Sequence, residues 1–291
     1  MALRGSWAGP ERLSGVTSTP STHPSNGPGH SSRSAERSPC DPSLRTRKPR
    51  SAMAIRLAVF DLDGTLLDTF LAATMATELS RCDSGDPAAA REALSAIDAY
   101  KGGTIDHDEC AARFYPCYAR AVRGLSTAVL RRVGIRAWQR SRARLFPFSA
   151  ELVAELRQLG FSPCLLSGSP EEAVVCAAEE LAMDHVWGMR LASDAGRCTG
   201  RVLRAPARPG AKRATLLETT SHLSVDWGGS FAMGDSSADI DVLDMAGNPL
   251  AFEPDAALLR AAESRNWPVA DRSSVLRHCR ARLPRKPAVR G

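Results

Sequence analysis

The sequence contains no apolar run of the roughly 20 residues that a helix needs to cross a bilayer. It also contains no Cys-x-x-Cys pair and no cysteine spacing typical of a zinc site. Its eight cysteines stand at positions 40, 82, 110, 117, 164, 176, 198 and 279. These absences argue against a membrane-spanning protein and against a structural zinc protein. They favour a reducing compartment, which we expect to be the cytoplasm.

Lysine is scarce, although the chain is rich in basic residues. Of 38 basic side chains only four are lysine, at positions 48, 101, 212 and 286. Lys48 and Lys286 lie in polar end segments, whereas Lys212 and Lys101 lie in the body of the chain. A compact ammonium can bridge carboxylate and phosphate oxygens where the guanidinium fork does not fit. Lys212 is therefore a candidate site residue. The inference is weakened because the body of the chain contains a second lysine, Lys101.

The net charge of +6 is misleading, because it arises at the two ends of the chain. Residues 1–54 carry a net charge of +5 and residues 277–291 a net charge of +6, which leaves −5 for residues 55–276. A mildly acidic body does not indicate a nucleic-acid-binding groove. We therefore expect no specific nucleic-acid partner and no membrane partner.

The two ends of the chain differ in composition from the body. Residues 1–53 are dense in Ser, Pro, Gly and Arg, lack apolar periodicity and are predicted to be disordered. They are interpreted as an unstructured tail, as an organelle-type transit segment, or as residues upstream of a translation start at Met53; we favour the last. Residues 273–291 are predicted to be a basic C-terminal tail.

The most informative motif follows an apolar run at residues 55–60. Asp61 and Asp63 can project together only where the strand ends and the chain turns, because strand side chains alternate between faces. Gly64 permits that turn. Two close carboxylates repel each other unless a cation lies between them. The pattern predicts a metal-assisted nucleophile with an acid/base partner, and the alternative is an Asp-rich turn that caps the next helix.

Two further segments have the same strand-then-turn character. "LLSGSPEE" at residues 165–172 predicts a strand, a turn with hydroxyls and free N–H groups suited to phosphate, and a helix; an ordinary N-cap serine is the alternative.

In "FAMGDSSADID" at residues 231–241, Asp235 and Asp239 are four residues apart and would share one side of a helix turn. A capped helix start with acids favoured by the helix dipole is the alternative there. Asp241 is interpreted as a surface charge outside the site.

Together, and in this order, the motifs resemble the haloacid dehalogenase (HAD) superfamily of phosphatases over residues 54–272. The runs "LLSGSPEE", "DAGRCTGRV" and "GNPLAFEPDAALLRAAESRNWPV" are similar to the phosphoserine-phosphatase-like branch, subfamily IB. The last run is most similar to bacterial hydrolases grouped beside phosphoserine phosphatase.

Alternating strand and helix patterns predict an α/β fold with a mostly parallel sheet. The resemblance implies a Rossmann-like core, formed by residues 54–68 and 147–272 and flanked by helices. It also implies that the helix-rich insert at 69–146, after the first strand, is a small helical cap that closes over the site. Within the insert, Arg136, Arg140 and Arg144 share one helix face, which is interpreted as a solvated face rather than an anion-binding surface.

The resemblance also implies roles for the acidic residues. Asp61 would attack phosphorus to form an aspartyl-phosphate, and Asp63 would act as general acid and then as general base. Mg²⁺ would be bound by the Asp61 carboxylate, the backbone carbonyl of Asp63 and Asp235. Asp239 would stand behind these ligands and orient Lys212 or a water.

The remaining implied roles concern the phosphate group. Ser167, the amide of Gly168 and Lys212 would hold the phosphoryl oxygens, and Thr65 would support the nucleophile loop at the phosphate site. These roles together predict a Mg²⁺-dependent phosphatase that acts on a small phosphorylated metabolite, as a monomer or homodimer.

The substrate is less well determined. In the resemblance, phosphoserine phosphatases carry an acidic residue where this chain has Phe70, with Asp68 two residues earlier, and Arg113 stands near the position of a cap arginine. Phosphoserine phosphatase is therefore an alternative that we do not favour. A phosphomutase and a non-catalytic binding protein with the HAD fold are further alternatives, whereas Asp63 argues against dehalogenase activity.

Overall fold

The structure is a computed structural model that describes residues 54–282. The predicted tail at 1–53, with the start at Met53, and the last part of the predicted basic tail lie outside the described residues. No helix within the described range is long and apolar enough to cross a membrane.

The centre of the fold is a seven-stranded sheet in the order β4-β3-β2-β1-β5-β6-β7. All neighbouring strands are parallel except β3 and β4, which form an antiparallel edge. This arrangement confirms the predicted α/β fold. The strands are β1 (Arg56–Phe60), β2 (Phe161–Pro170), β3 (His185–Asp194), β4 (Arg197–Arg204), β5 (Phe231–Gly234), β6 (Asn248–Phe252) and β7 (Val269–Ala270).

Strand β1 is buried on both faces, which explains its continuous apolar sequence. Leu57 and Val59 pack into the hydrophobic cluster on one face of the sheet, and Ala58 and Phe60 pack into the cluster on the other. The ring of Phe60 lies 5.7 Å from that of Phe231 on β5. Burying a side chain of this size contributes about 1.5–3 kcal/mol, so β1 anchors the residues that follow it.

Four helices lie between β1 and the next core element, in the segment predicted as the cap. They are α1 (Leu71–Ser80), α2 (Pro87–Lys101), α3 (His107–Val122) and α4 (Thr127–Ser141), followed by a 3-10 turn at Arg142–Arg144. Local sequence sets their starts, since the side chains of Asp86, Asp106 and Ser126 accept hydrogen bonds from the first-turn N–H groups of α2, α3 and α4. Helix α1 begins at Leu71, and the side chain of Phe70, its N-cap residue, makes no capping hydrogen bond.

The arginine face of α4 is largely neutralised by ion pairs. Arg136 and Arg140 lie 3.1 and 2.9 Å from the buried carboxylate of Glu78 on α1, and Arg144 lies 2.7 Å from Asp68. These ion pairs connect α4 and the following turn to α1 and to the segment before it. The three arginines therefore do not form an open anion-binding surface.

The core helices are α5 (Ser149–Gln158), α6 (Glu171–Glu180), α7 (Ala211–Thr219), α8 (Ile240–Met245), α9 (Ala256–Arg265) and α10 (Val275–Arg282), with a 3-10 turn at Ser237–Asp239 before α8. Helix α10 lies in the segment predicted as a tail. It buries Val275 and Cys279, and Arg280 pairs with Glu151 and Glu155 of α5. The described part of that segment therefore packs on the core, which extends beyond residue 272.

Candidate active site

Strand β1 lies between β2 and β5, so the direction in which strands are added to the sheet reverses at this point. Ligands of open α/β sheets bind at the carboxyl ends of the strands beside such a reversal. Asp61 follows β1 directly, Ser167 lies in the last part of β2, and Asp235 follows β5. The topology thus brings three motifs that are far apart in sequence to one edge of the sheet.

Lys212 joins two of the acidic residues. Its Nζ donates hydrogen bonds of 2.6 Å to Asp61 Oδ1 and of 2.6 Å to Asp239 Oδ1, and only 4% of the side chain is exposed. Burial opposes the charged form of this amine, but the two carboxylates outweigh that effect and raise the pKa of Lys212. Lys212 is therefore a fixed, buried ammonium beside Asp61.

The loop after β5 holds two of the carboxylates. Asp235 Oδ1 accepts a hydrogen bond of 2.9 Å from the hydroxyl of Thr65. Asp239 Oδ2 accepts hydrogen bonds from both the backbone N–H and the hydroxyl of Ser236. Thr65 thus ties the turn after β1 to the loop after β5, and its hydroxyl is directed at an acid of the site.

The turn after β1 depends on a glycine. Gly64 has φ +83°, and a Cβ added to it would lie 2.1 Å from Asp235 Oδ2. Only glycine combines this backbone angle with so close an approach. Gly64 therefore sets the distance between the turn and Asp235.

Asp61, Asp235 and Asp239 form a cluster in which one carboxylate oxygen from each lies within 4.8 Å of the others. Burial raises the pKa of Asp61 to about 7, an effect that Lys212 reduces and that Asp239 and Asp63 increase. Burial and the negative charge of Asp61 also raise the pKa of Asp235 well above its usual range. Two buried carboxylates, Asp61 and Asp239, and the half-buried Asp235 face one buried ammonium. The cluster therefore favours a further cation, and an all-oxygen donor set suits a hard divalent ion. Asp239, predicted to stand behind the ligands, is a member of this cluster.

Asp63 has a different set of partners. Its Oδ1 accepts a 2.6 Å hydrogen bond from the N–H of Leu71, and its Oδ2 accepts hydrogen bonds from Ser169 Oγ at 2.5 Å and Ser167 Oγ at 3.4 Å. Burial raises the pKa of Asp63, although the hydrogen bonds from Leu71 and Ser169 oppose the shift. A raised pKa favours the protonated form of this carboxyl group, which suits a general acid.

A cavity of about 640 Å³, including its mouth, opens onto these groups. Asp61, Asp63, Lys212 and Asp235 line its floor together with Gly168 and Ser169. That volume includes open solvent at the mouth, and the enclosed part is about 80 Å³, which admits a small molecule rather than a macromolecule.

Not every predicted residue reaches the cavity. Thr65, Ser167 and Asp239 are buried behind its floor and contact the residues that line it. Ser169 is a site residue that the sequence analysis missed. The second hydroxyl of "SGS" was the available signal. The pairing of β2 with β3 shifts register between Leu166 and Pro170, so the alternation of faces along a regular strand does not predict which hydroxyl faces the cavity.

Helix α3 supplies a further residue that was missed. The hydroxyl of Tyr115 donates to the carbonyl of Gly168 at 3.1 Å and accepts from the N–H of Ala207 at 2.8 Å. One side chain from the helical insert thereby holds both the turn at the end of β2 and the loop before α7.

Comparison with known proteins agrees with this reading. The profile of the haloacid dehalogenase-like hydrolases matches residues 58–244. The phosphoserine phosphatase SerB2 of Mycobacterium tuberculosis is 30% identical over 211 residues, which cover 72% of this chain and 47% of that protein. The chain spans about half the length of the first curated relatives that it matches.

Solved structures share the fold. A protein of unknown function from Bordetella pertussis superposes with a TM-score of 0.62 at 24% identity, over 75% of this chain and 99% of its own. A phosphoserine phosphatase with an analogue of the phospho-aspartyl intermediate superposes with a TM-score of 0.58 at 19% identity, over 79% of this chain and 100% of its own. From the family match and the convergence of its motifs at one edge of the sheet, the chain belongs to the haloacid dehalogenase-like hydrolases.

Proposed function

We propose that this protein is a Mg²⁺-dependent phosphatase that hydrolyses a small phosphomonoester through a phosphorylated Asp61. The observation that carries this proposal is the convergence of Asp61, Lys212 and the Asp235–Asp239 loop on one small cavity. Hydrolysis of a generic aryl phosphate, measured with and without Mg²⁺, tests it. Release of inorganic phosphate only with Mg²⁺ supports the proposal, and absence of turnover contradicts it and favours a binding protein.

The first chemical step uses Asp61 and Asp63. A carboxylate oxygen of Asp61 forms a bond to phosphorus as the bond from phosphorus to the ester oxygen breaks, and Asp63 gives its proton to that departing oxygen. Lys212 and the polar groups of Gly168 and Ser169 would offset the charge that develops on the phosphoryl oxygens.

In the second step, Asp63, now ionised, takes a proton from a water that attacks phosphorus. Inorganic phosphate leaves, Asp61 is regenerated, and Asp63 is protonated again. A divalent ion held by Asp61 and Asp235, with Asp239 or the backbone carbonyl of Asp63 nearby, would supply positive charge to the phosphoryl group.

Several relatives raise phosphoserine as a candidate substrate, since SerB2 and others are named phosphoserine phosphatase. A phosphomutase would use the same first step, but it would pass the phosphoryl group to a second alcohol instead of releasing inorganic phosphate. A cytoplasmic location and a monomeric or homodimeric state remain our predictions.

We expect Mg²⁺ to stabilise the protein more strongly as pH rises. Without the ion, burial raises the pKa of Asp61 from 3.8 to about 7, so the folded state holds more protons than the unfolded chain between these values. The unfolding free energy of the metal-free protein therefore falls as pH rises through that window. Mg²⁺ needs ionised carboxylates, so the Mg²⁺-induced rise in Tm is expected to be several-fold larger at about pH 8 than at about pH 5.5.

Thermal unfolding of the full chain with and without Mg²⁺ measures this effect. Asp235→Asn should lose most of the Mg²⁺-induced rise, whereas Asp241→Asn, which changes an acid outside the site, should keep it. Equal stabilisation at both pH values, or a full rise in Asp235→Asn, would contradict the proposed metal ligands.

We expect Gly64→Ala to lower kcat by about 100-fold, because displacing a site group by about an ångström has effects of this size. The new Cβ would collide with Asp235 Oδ2 and strain a residue at φ +83°. Gly103→Ala is a matched control, since Gly103 has a similar φ of +70°. Within the part of the chain that the structure describes, its added Cβ would meet no heavy atom within 4 Å. Both variants should lose stability from backbone strain, with a larger loss in Gly64→Ala because of the added collision, and only Gly64→Ala should lose activity. Wild-type kcat in Gly64→Ala would show that the Asp235 position is not critical.

A further inference from the structure

The cavity above Asp61 has two chemically different halves. The floor at the sheet edge carries the charged groups Asp61, Asp63, Lys212 and Asp235. The opposite wall is formed by Phe70, which directly precedes α1, and by the helical insert. The larger side chains that the insert contributes are Ile97, Tyr100, His107, Phe114 and Tyr115. Within residues 54–282, no aspartate, glutamate, lysine or arginine lines this wall. The phosphoryl group would bind at the charged floor. The leaving group of the substrate would therefore contact the wall.

The wall has few polar atoms, and some of them already form hydrogen bonds within the protein. The hydroxyl of Tyr115 both donates to Gly168 and accepts from Ala207, so Tyr115 presents its ring to the cavity. Phe114 packs beside it, with ring centroids 5.7 Å apart. This part of the wall is apolar in its contacts, although tyrosine is a polar residue.

Three rings from different elements line up along the rest of the wall. Tyr100, at the end of α2, meets Phe70 edge-on at 5.9 Å and an interplanar angle of 87°, and it meets His107 at 5.7 Å and 83°. These edge-to-face contacts fix the three rings relative to one another. The wall is therefore a formed aromatic surface rather than a set of separate apolar side chains.

The titratable groups in this row of rings are uncharged near neutral pH. Burial lowers the pKa of His107, and burial raises the pKa of the Tyr100 hydroxyl. Among the described residues, His107 Nδ1 has no hydrogen-bond partner, and the nearest carboxylate, on Asp108, lies 3.8 Å away. The wall thus offers neutral hydrogen-bonding groups and no charge.

Charged side chains near the wall do not line the cavity, and most of them have other partners. Asp68 is paired with Arg144, and Arg113 is paired with Glu109 on the exposed side of α3. Lys101 lies over the ring of Phe70, 5.8 Å from its centroid, and is exposed. An ammonium or a carboxylate on a leaving group would lose water against this wall without gaining an opposite charge from it, which disfavours its binding there.

We propose that the substrate is the phosphate monoester of an uncharged, largely apolar alcohol, with an aromatic group favoured, and not of an amino acid. This proposal rests on the proposed phosphatase function. Phe70, Tyr100 and His107 would be specificity-determining residues, since they contact the leaving group and not the phosphoryl group.

The first test compares monoesters that share the reacting group. Propyl phosphate has the carbon skeleton of phosphoserine without its ammonium and carboxylate, and benzyl phosphate adds an aromatic ring on an alkyl oxygen. We expect kcat/KM to be highest for benzyl phosphate, and to be at least about 10-fold higher for benzyl phosphate than for phosphoserine, because an apolar site discriminates strongly against unpaired charge. A higher kcat/KM for phosphoserine than for both uncharged esters would overturn the substrate class.

The second test introduces a negative charge into the wall. Phe70→Glu should lower kcat/KM for benzyl phosphate about tenfold and raise the ratio of phosphoethanolamine to benzyl phosphate hydrolysis, since a carboxylate would now face the leaving group. Phe70→Leu keeps an apolar side chain and should keep the wild-type order of substrates. An unchanged substrate order in folded Phe70→Glu would show that Phe70 does not contact the leaving group.

The outcomes separate this proposal from the one on which it rests. If none of the esters is hydrolysed with Mg²⁺, the phosphatase function fails and the substrate class fails with it. If phosphoserine is the best substrate, the phosphatase function stands and only the substrate class is overturned. The comparison on the wild-type protein does not depend on whether Phe70→Glu folds.

Discussion

Asp61→Asn is expected to abolish turnover while the fold survives. The amide cannot act as a carboxylate nucleophile toward phosphorus, and removing the nucleophile of a covalent mechanism costs at least about 10⁴-fold in kcat. The change is nearly isosteric, and it replaces a buried carboxylate whose ionised form is disfavoured by burial, as its raised pKa indicates. We therefore expect Tm to change little compared with the loss of activity.

The matched control for this prediction is Asp241→Asn, the same substitution at an acid on α8 that we place outside the site. It should keep wild-type kcat and KM. Steady-state hydrolysis of an aryl phosphate and thermal unfolding measure both variants. Substantial Mg²⁺-dependent activity in Asp61→Asn, in a preparation free of wild-type enzyme, would reject Asp61 as the nucleophile.

Lys212→Met is expected to affect both activity and stability. It leaves the carboxylates of Asp61 and Asp239 without the ammonium that lies 2.6 Å from each. Breaking a buried ion pair from one side costs about 3–5 kcal/mol, and losing a donor that offsets transition-state charge lowers kcat by about 10²–10³-fold. Lys212→Arg should restore little activity, because the guanidinium group is larger and planar and has to fit the same buried position.

Arg213→Met, one residue along the same helix and exposed, is the matched control and should leave both Tm and kcat near the wild-type values. A double variant of Asp61→Asn with Lys212→Met should be less destabilised than the sum of the single variants, since the two residues contact each other. If Lys212→Met were as stable and as active as Arg213→Met, the ion pairs of Lys212 would have no role in either property.

The sequence allowed the site to be predicted where local patterns sufficed. An apolar run that ends in Asp61 or in Asp235 marks the carboxyl end of a buried strand, and such ends meet at one edge of a parallel sheet. The four-residue spacing of Asp235 and Asp239 predicted that both acids share one helix turn. They do lie close together, but Asp235 is in the loop after β5 and Asp239 ends a 3-10 turn before α8. Lys212 was identified because lysine is rare in this chain.

Contacts between distant segments could not be predicted in the same way. Tyr115 lies 53 residues from Gly168 in the chain, and helix periodicity does not tell which face of α3 meets the core. Ser169, not Ser167, lines the cavity. Both lie where the pairing of β2 with β3 is irregular, and residue types alone do not predict that irregularity. The packing of α10 likewise depends on the acids of α5, whereas its composition indicated only a basic tail.

Trapping the phosphorylated enzyme tests the central claim most directly. In Asp63→Asn, para-nitrophenyl phosphate should still phosphorylate Asp61, because its leaving group needs little protonation, while the loss of the general base slows hydrolysis of the intermediate. Acid quenching, borohydride reduction and peptide mass spectrometry should then find homoserine at position 61. Modification at another residue, or steady release of inorganic phosphate with no trapped intermediate, would contradict the proposed mechanism.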